Sequence, residues 1–139
     1  MKWILKKQLT DEKTIEKFEQ QYNVKFPLQF KVLVTNNNAA RPEPYIIDAE
    51  KTKEIPAKAL LSFDEHHKPE DIWSSYEAIK GRLPVNIIPF MSDEGGNYFC
   101  LDLDPLEEVK AIVYWSHEGN QVEKVADNLE EFISKFYDF

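Results

Sequence analysis

The chain has 139 residues, a formal net charge of −8, 42% hydrophobic residues and 13% aromatic ones. That length and apolar content suit one α+β domain spanning 1–139 with a real core, and they exclude a disordered chain. The lone cysteine, Cys100, excludes an intrachain disulfide and a cysteine-based zinc site.

The opening Met-Lys-Trp-Ile-Leu-Lys-Lys has an apolar run far too short for a signal peptide, and no segment approaches the ~20 apolar residues of a membrane span. A cytoplasmic protein with no membrane partner is expected. The charge is unevenly placed. Residues 1–50 carry 8 basic and 7 acidic side chains, whereas residues 51–139 carry 9 and 18. From Leu83 to Val109 there is no Lys or Arg, yet Asp93, Glu94, Asp102, Asp104, Glu107 and Glu108 all fall there. Phosphate is repelled by such a surface, so direct nucleic-acid binding is not expected, while a basic protein is attracted. Simple solubility is the competing reading of the same charge.

In chain order, Thr10 and Asp11 offer caps for a first helix with Ile15, Phe18 and Tyr22 on one face and Asn23 near its end. Pro27 suits the first position of a second helix carrying Phe30, Leu33 and Val34, which ends at Asn36-Asn37-Asn38. Arg41 to Pro44 reads as a loop. Two short strands follow, Tyr45–Asp48 and Ala59–Phe63. Pro69 opens a third helix to about Lys80, with Ile72, Tyr76 and Ile79 inward and Gly81 as its stop. The second half reads as sheet. Asn86–Met91 is apolar, residues 93–97 form a glycine-bearing turn, and Tyr98–Asp104 alternates, with Phe99, Leu101 and Leu103 on one side. Ala111–Ser116 and Gln121–Val125 flank a turn at 117–120. Asp127 caps a closing helix with a stripe of Leu129, Phe132, Ile133 and Phe136. Consecutive hairpins predict a mainly antiparallel sheet of five to six strands, flanked by N-terminal, middle and C-terminal helices.

Chemistry-bearing residues are few. Asp102 and Asp104 share one strand face, the spacing of a general acid–base pair, but charged residues on a solvated sheet face are ordinary. Asp93 reads as a turn residue, and Glu94 as either a turn or a contact residue. Gly95-Gly96 lacks the Lys-Ser/Thr of a phosphate loop. His66, His67, His117 and Glu118 have no metal-ligand spacing, and Cys100 reads as a core cysteine. Trp115 alternates into the core, whereas Trp73 flanks the Ile72/Tyr76 stripe and is expected half-exposed, an anchor for an interface. No enzyme activity, cofactor or metal is expected.

The segment Ile88-Pro-Phe-Met-Ser-Asp-Glu-Gly-Gly-Asn-Tyr-Phe-Cys-Leu-Asp-Leu-Asp104 resembles the central hairpin of the SUKH superfamily, which contains the yeast cell-wall regulator Smi and many bacterial immunity proteins. Val113-Tyr-Trp-Ser-His-Glu-Gly119 is similar to that family's next strand and turn. Ile15–Tyr22 with Lys25-Phe-Pro-Leu-Gln-Phe30 is similar to its opening helices, and Asn128-Leu-Glu-Glu-Phe-Ile133 to its closing one. After the second helix this chain has Asn37-Asn38-Ala39 where the family often has Asn-Gly-Gly. The resemblance implies a monomeric or weakly dimeric immunity protein that binds and neutralises a cognate toxin, often a nuclease. A Smi-like scaffold for endogenous partners is the alternative. On the immunity reading the contact residues are Trp73, Glu94, Asp102, Asp104, Glu107, Glu108 and Glu118.

Overall fold

A computed structural model describes residues 1–9, 11–104 and 108–139. The fold is α+β. Strands β1 (Lys2–Ile4) and β2 (Arg41–Glu43) form a two-stranded antiparallel ribbon. Strands β3 (Ile46–Ile47), β4 (Ile55–Leu60), β5 (Ile87–Asp93), β6 (Tyr98–Leu103), β7 (Val109–Ser116) and β8 (Gln121–Ala126) form a six-stranded antiparallel sheet in sequence order. Helices α1 (Thr14–Tyr22), α2 (Leu28–Asn36), α3 (Ile72–Ile79) and α4 (Leu129–Ser134) complete it.

Alternation sorts the sheet into two faces. Phe99, Leu101 and Leu103 of β6 point into the main core, opposite Tyr114 and Ile112 of β7. Cys100 points the other way, into a smaller outer cluster with Ile79, Ile87, Val113 and Trp115. Strict alternation breaks at bulges. The extra residue Phe90 between the pairs Pro89–Cys100 and Met91–Phe99 lets Phe90 and Met91 both turn inward. That explains the unbroken apolar reading of this strand.

A chain of aromatic rings runs through the main core. Phe18 of α1 stacks on Phe26 at 5.7 Å between ring centres, Phe26 meets Phe30 of α2 at 4.9 Å, and Phe30 meets Phe90 at 5.8 Å. Phe90 then meets Phe132 of α4 at 5.5 Å, and Phe132 meets Phe136 at 5.1 Å.

The sheet curls until its two ends meet. Glu50 N–H donates to the Lys124 carbonyl at 3.0 Å. The Glu123 carboxylate accepts from the backbone N–H groups of Lys51 (2.7 Å) and Thr52 (2.8 Å) and from the Thr52 hydroxyl (2.8 Å). Beyond α4, Tyr137 exchanges backbone bonds with Ile46, and its hydroxyl donates to Asp48 at 2.7 Å. That bond first, then burial, pushes the Tyr137 hydroxyl up to about 12.

Several local expectations are corrected. Arg41–Glu43 is a strand, not a loop, because Lys2–Ile4 returns beside it and an edge ribbon tolerates Pro42. The strand placed at Ala59–Phe63 begins at Ile55 and ends at Leu60; Leu61 N–H still reaches the Phe90 carbonyl, but Ser62 bonds the Glu70 segment. The cap of α3 is Asp71, whose carboxylate accepts Ser74 N–H at 3.0 Å, and Pro69 lies before the helix. Asn128, not Asp127, caps α4 by accepting Glu131 N–H at 2.8 Å. Pro27 is the cap of α2 rather than its first residue. The left-handed residue after α2 is Ala39 (φ +61°), because Asn38 turns inward instead. Asp11 does not cap α1: its carboxylate accepts Lys13 N–H at 2.9 Å in the turn before the helix, and Lys13 itself holds the cap position without a side-chain bond. Thr10, the other cap expected for the first helix, lies outside the described residues.

The clasp yields a prediction. Burial pushes the Glu123 carboxyl up, and the N–H and hydroxyl donors of Lys51 and Thr52 outweigh it, so its pKa falls below the usual 4.5. A depressed carboxyl stabilises the fold above its unfolded value and loses that contribution as pH falls through the folded one. Glu123→Ala is expected to cost about 2 kcal/mol at pH 7. In urea denaturation, its deficit relative to the parent shrinks between pH 5 and pH 3.

Candidate functional site

The hairpins β5–β6–β7–β8 place the acidic residues. At one end of the sheet, the turn after β5 is organised by Asp93. Its buried carboxylate accepts Gly95 N–H (2.9 Å), Asn97 N–H (2.8 Å) and the Tyr114 hydroxyl (2.5 Å). Burial, then the bond to Asp93, pushes the Tyr114 hydroxyl up. Gly96 takes φ +84°, which this tight turn requires. Asn97 ties in the neighbouring turn: its Oδ1 accepts His117 N–H at 2.9 Å and lies 2.7 Å from His117 Nδ1, which therefore carries a proton. Arg82 donates to the His117 carbonyl at 2.6 Å and lies 5.0 Å from the centre of the Trp115 ring. The indole N–H of Trp115 donates to Asn120 at 2.7 Å.

Glu94 and Glu118 sit at this end. Glu94 is half-exposed and paired with Arg41 at 3.2 Å, and Glu118 is exposed in a 3-10 turn. Asp102, Asp104 and Glu108 lie at the opposite end, across the β6–β7 connection. Six strand residues at about 3.3 Å each separate the two ends by roughly 20 Å. Asp104 and Glu108 are held together: Asp104 N–H donates to the Glu108 carbonyl, and Glu108 N–H to Asp104 Oδ1, both at 3.1 Å. Asp102 is half-buried, opposite Ile87 and Ala111. Lys110 is the extra residue of a bulge in β7 and is exposed beside them. Glu107 lies outside the described residues.

The seven expected contact residues are thus not one patch. Asp102, Asp104 and Glu108 come together, and Glu94 and Glu118 stand elsewhere. The half-exposed placement of Trp73 is corrected. Trp73 is 7% exposed, set among Phe18 and Phe63 with its indole N–H on Gln21 at 3.0 Å. The sequence reading did not single out Val85, which is 86% exposed in the loop before β5. That loop runs beside the acidic end, since Asn86 accepts Leu103 N–H at 3.0 Å. An apolar residue between the helix stop at Gly81 and the next strand was the available signal.

Other chemistry resolves into structure. Burial raises the Cys100 thiol well above its ordinary value. Among the described residues, no group of three or more His, Cys, Asp or Glu side chains is arranged to hold a metal. Ser62, His67 and Asp64 are neighbours, but the Ser62 hydroxyl is fully buried. It accepts from Asn38 Nδ2 and from Asp64 N–H, both at 3.1 Å. With its two lone pairs filled, its proton must go to His67 Nδ1 at 2.7 Å. The hydroxyl is therefore a junction holding three segments, not a free nucleophile. The His66 backbone N–H, against a weaker burial effect, holds the Asp64 carboxyl below its usual value.

The family described as SMI1-KNR4 cell-wall, SUKH_6, matches residues 12–133. This chain belongs to the SUKH superfamily. A SPbeta prophage-derived uncharacterized protein of Bacillus subtilis (strain 168), YokK, is 38% identical over 61 residues, covering 41% of this chain and 30% of YokK. The matched part is thus under a third of that relative's length. No solved structure matches. No helix among the described residues of this SUKH protein is long and apolar enough to cross a membrane.

Two outcomes check the site geometry. Asp93→Ala is expected to destabilise by about 3 kcal/mol, since it strands the buried Tyr114 hydroxyl and two part-buried N–H donors. Reversal of Asp102, Asp104 and Glu108 to Lys is expected to change stability by no more than about 1 kcal/mol. Chemical denaturation measures both. In the imidazole ¹⁵N spectrum, neutral His67 is expected to show a bare Nδ1 and a protonated Nε2, and neutral His117 the reverse.

Proposed function

We propose that this SUKH protein is an immunity protein that binds a cognate toxin one-to-one in the cytoplasm and occludes a basic working surface, most plainly that of a nuclease. The observation that carries the reading is the acidic end of the sheet. Asp102, Asp104 and Glu108 project from one hairpin end, within a stretch that holds no Lys or Arg from Leu83 to Val109. A nuclease needs a positive cleft for phosphate, and carboxylates fixed on a rigid sheet mimic that polyanion. Val85 beside them supplies an apolar contact at the centre of a polar rim. Glu107 belongs to the same connection. Glu94 and Glu118, on the far end, belong to a second contact or to none, and Trp73 is too deeply buried to anchor a partner.

The test is co-expression with the toxin encoded beside this gene. Rescue of growth and a one-to-one complex are expected; failure of both sinks the proposal. Reversal of Asp102, Asp104 and Glu108 is expected to weaken the complex at least about a hundredfold, chiefly through slower association at low salt. The same reversal at Glu94 and Glu118 is expected to have under a tenth of that effect.

A further inference from the structure

A cleft of about 300 Å³ lies between the segment after β1, the start of β2, and strand β4 with the residues that follow it. Its apolar lining comes from Leu5, Ala39, Ala59, Leu60 and Leu61, with Leu60 and Leu61 the most deeply set. Three cations, Lys7, Arg41 and Lys58, line it with one carboxylate, Glu70; since Arg41 is also paired with Glu94, one positive charge is left in excess, in a protein whose net charge is −8. Lys58 is the extra residue of a bulge in β4, a device that re-aims a side chain out of strand register.

The resident carboxylate does not satisfy these cations. Lys7 and Lys58 flank Glu70 at 4.0 and 3.8 Å, well beyond the ~2.8 Å of a charge-assisted hydrogen bond. Arg41 is anchored by its Nε on the Lys58 carbonyl at 3.2 Å and by Glu94 at 3.2 Å. An apolar floor with a few convergent charges at the mouth is the general form of a small-molecule site. Ser62 also borders the cleft, but its hydroxyl is buried and committed to Asn38, Asp64 and His67.

We propose that this cleft binds a small organic anion: a carboxylate or phosphate head, set between Lys7, Lys58 and Arg41, on a short unbranched apolar body lying over Leu60 and Leu61. This is independent of the toxin-binding reading, which concerns the β6–β7 end. Glu70 competes with the ligand head for the same ammonium groups, so neutralising it favours binding.

The experiment is an NMR titration of the ¹⁵N-labelled full chain with hexanoate, hexyl phosphate, inorganic phosphate and hexylamine, at fixed pH and low ionic strength. Saturable shifts at Ala59, Leu60 and Leu61 are expected with hexanoate or hexyl phosphate, and whichever binds more tightly identifies the head. Inorganic phosphate is expected to bind at least about tenfold more weakly than hexyl phosphate, since it leaves the apolar floor uncovered. Glu70→Gln is expected to tighten binding of the preferred anion. Lys58→Ala and Lys7→Ala, both at half-exposed positions, are each expected to weaken it about tenfold. Hexylamine binding as well as hexanoate would overturn the proposal. So would an absence of saturable shifts at these residues, equal binding of inorganic and hexyl phosphate, or binding unmoved by all three variants.

Discussion

The helices of this protein depend on the aromatic chain beneath them. α1 and α2 have nine residues each and α4 has six, lengths at which an isolated helix does not persist in water. Each is held because its rings enter one continuous series, from Phe18 through Phe26, Phe30 and Phe90 to Phe132 and Phe136. Aromatic pairs of this kind add about 0.5–1.5 kcal/mol each beyond the burial of their area. The series also decides which face of the sheet is inner. Phe99 joins the series through Phe132, at 5.4 Å between ring centres, and with Phe90 and Phe99 so committed, alternation sends Cys100 and Asp102 outward.

From that commitment the two ends of the sheet take different characters. At the β5–β6 turn, the Asp93, Asn97, Tyr114 and His117 network leaves little freedom, and the outer cluster is closed by Arg82 above Trp115. At the β6–β7 end, roughly 20 Å away, Asp102 stands on β6, while Asp104 and Glu108 lie just past the strand ends and bond each other. Rigid presentation of charge matters for a binding protein, because ordering flexible side chains and loops on association costs affinity.

The sequence was most legible where periodicity is long and clean. Ile15 and Phe18 at helical spacing, the alternation of Phe99, Leu101 and Leu103, and the stripe of Leu129 and Phe132 all give elements of the right kind in the right place, although the closing helix ends at Ser134, before Phe136. It was least legible where distant segments decide. The β1–β2 ribbon exists because Lys2–Ile4 meets Arg41–Glu43, and strands of three residues carry no period. Trp73 looked peripheral on the helix, but α1 packs over it through Phe18. The acidic residues looked like one patch because they are close in sequence, and hairpin geometry sends neighbours in sequence to opposite ends of a strand. The cations of the β4 cleft come from three separate segments, so no local pattern announces them.

The seam of the curled sheet has a further consequence. Proteins often recognise one another by lending a strand to an open sheet edge, which is also how they aggregate. At Glu123–Lys124 that invitation is withdrawn: the 48–54 loop already occupies the Lys124 carbonyl, and a carboxylate fastens it down. There a partner finds the Lys124 carbonyl taken and a loop across its path, so that its identity must be read from side chains. Recognition there becomes a matter of vocabulary rather than of grammar.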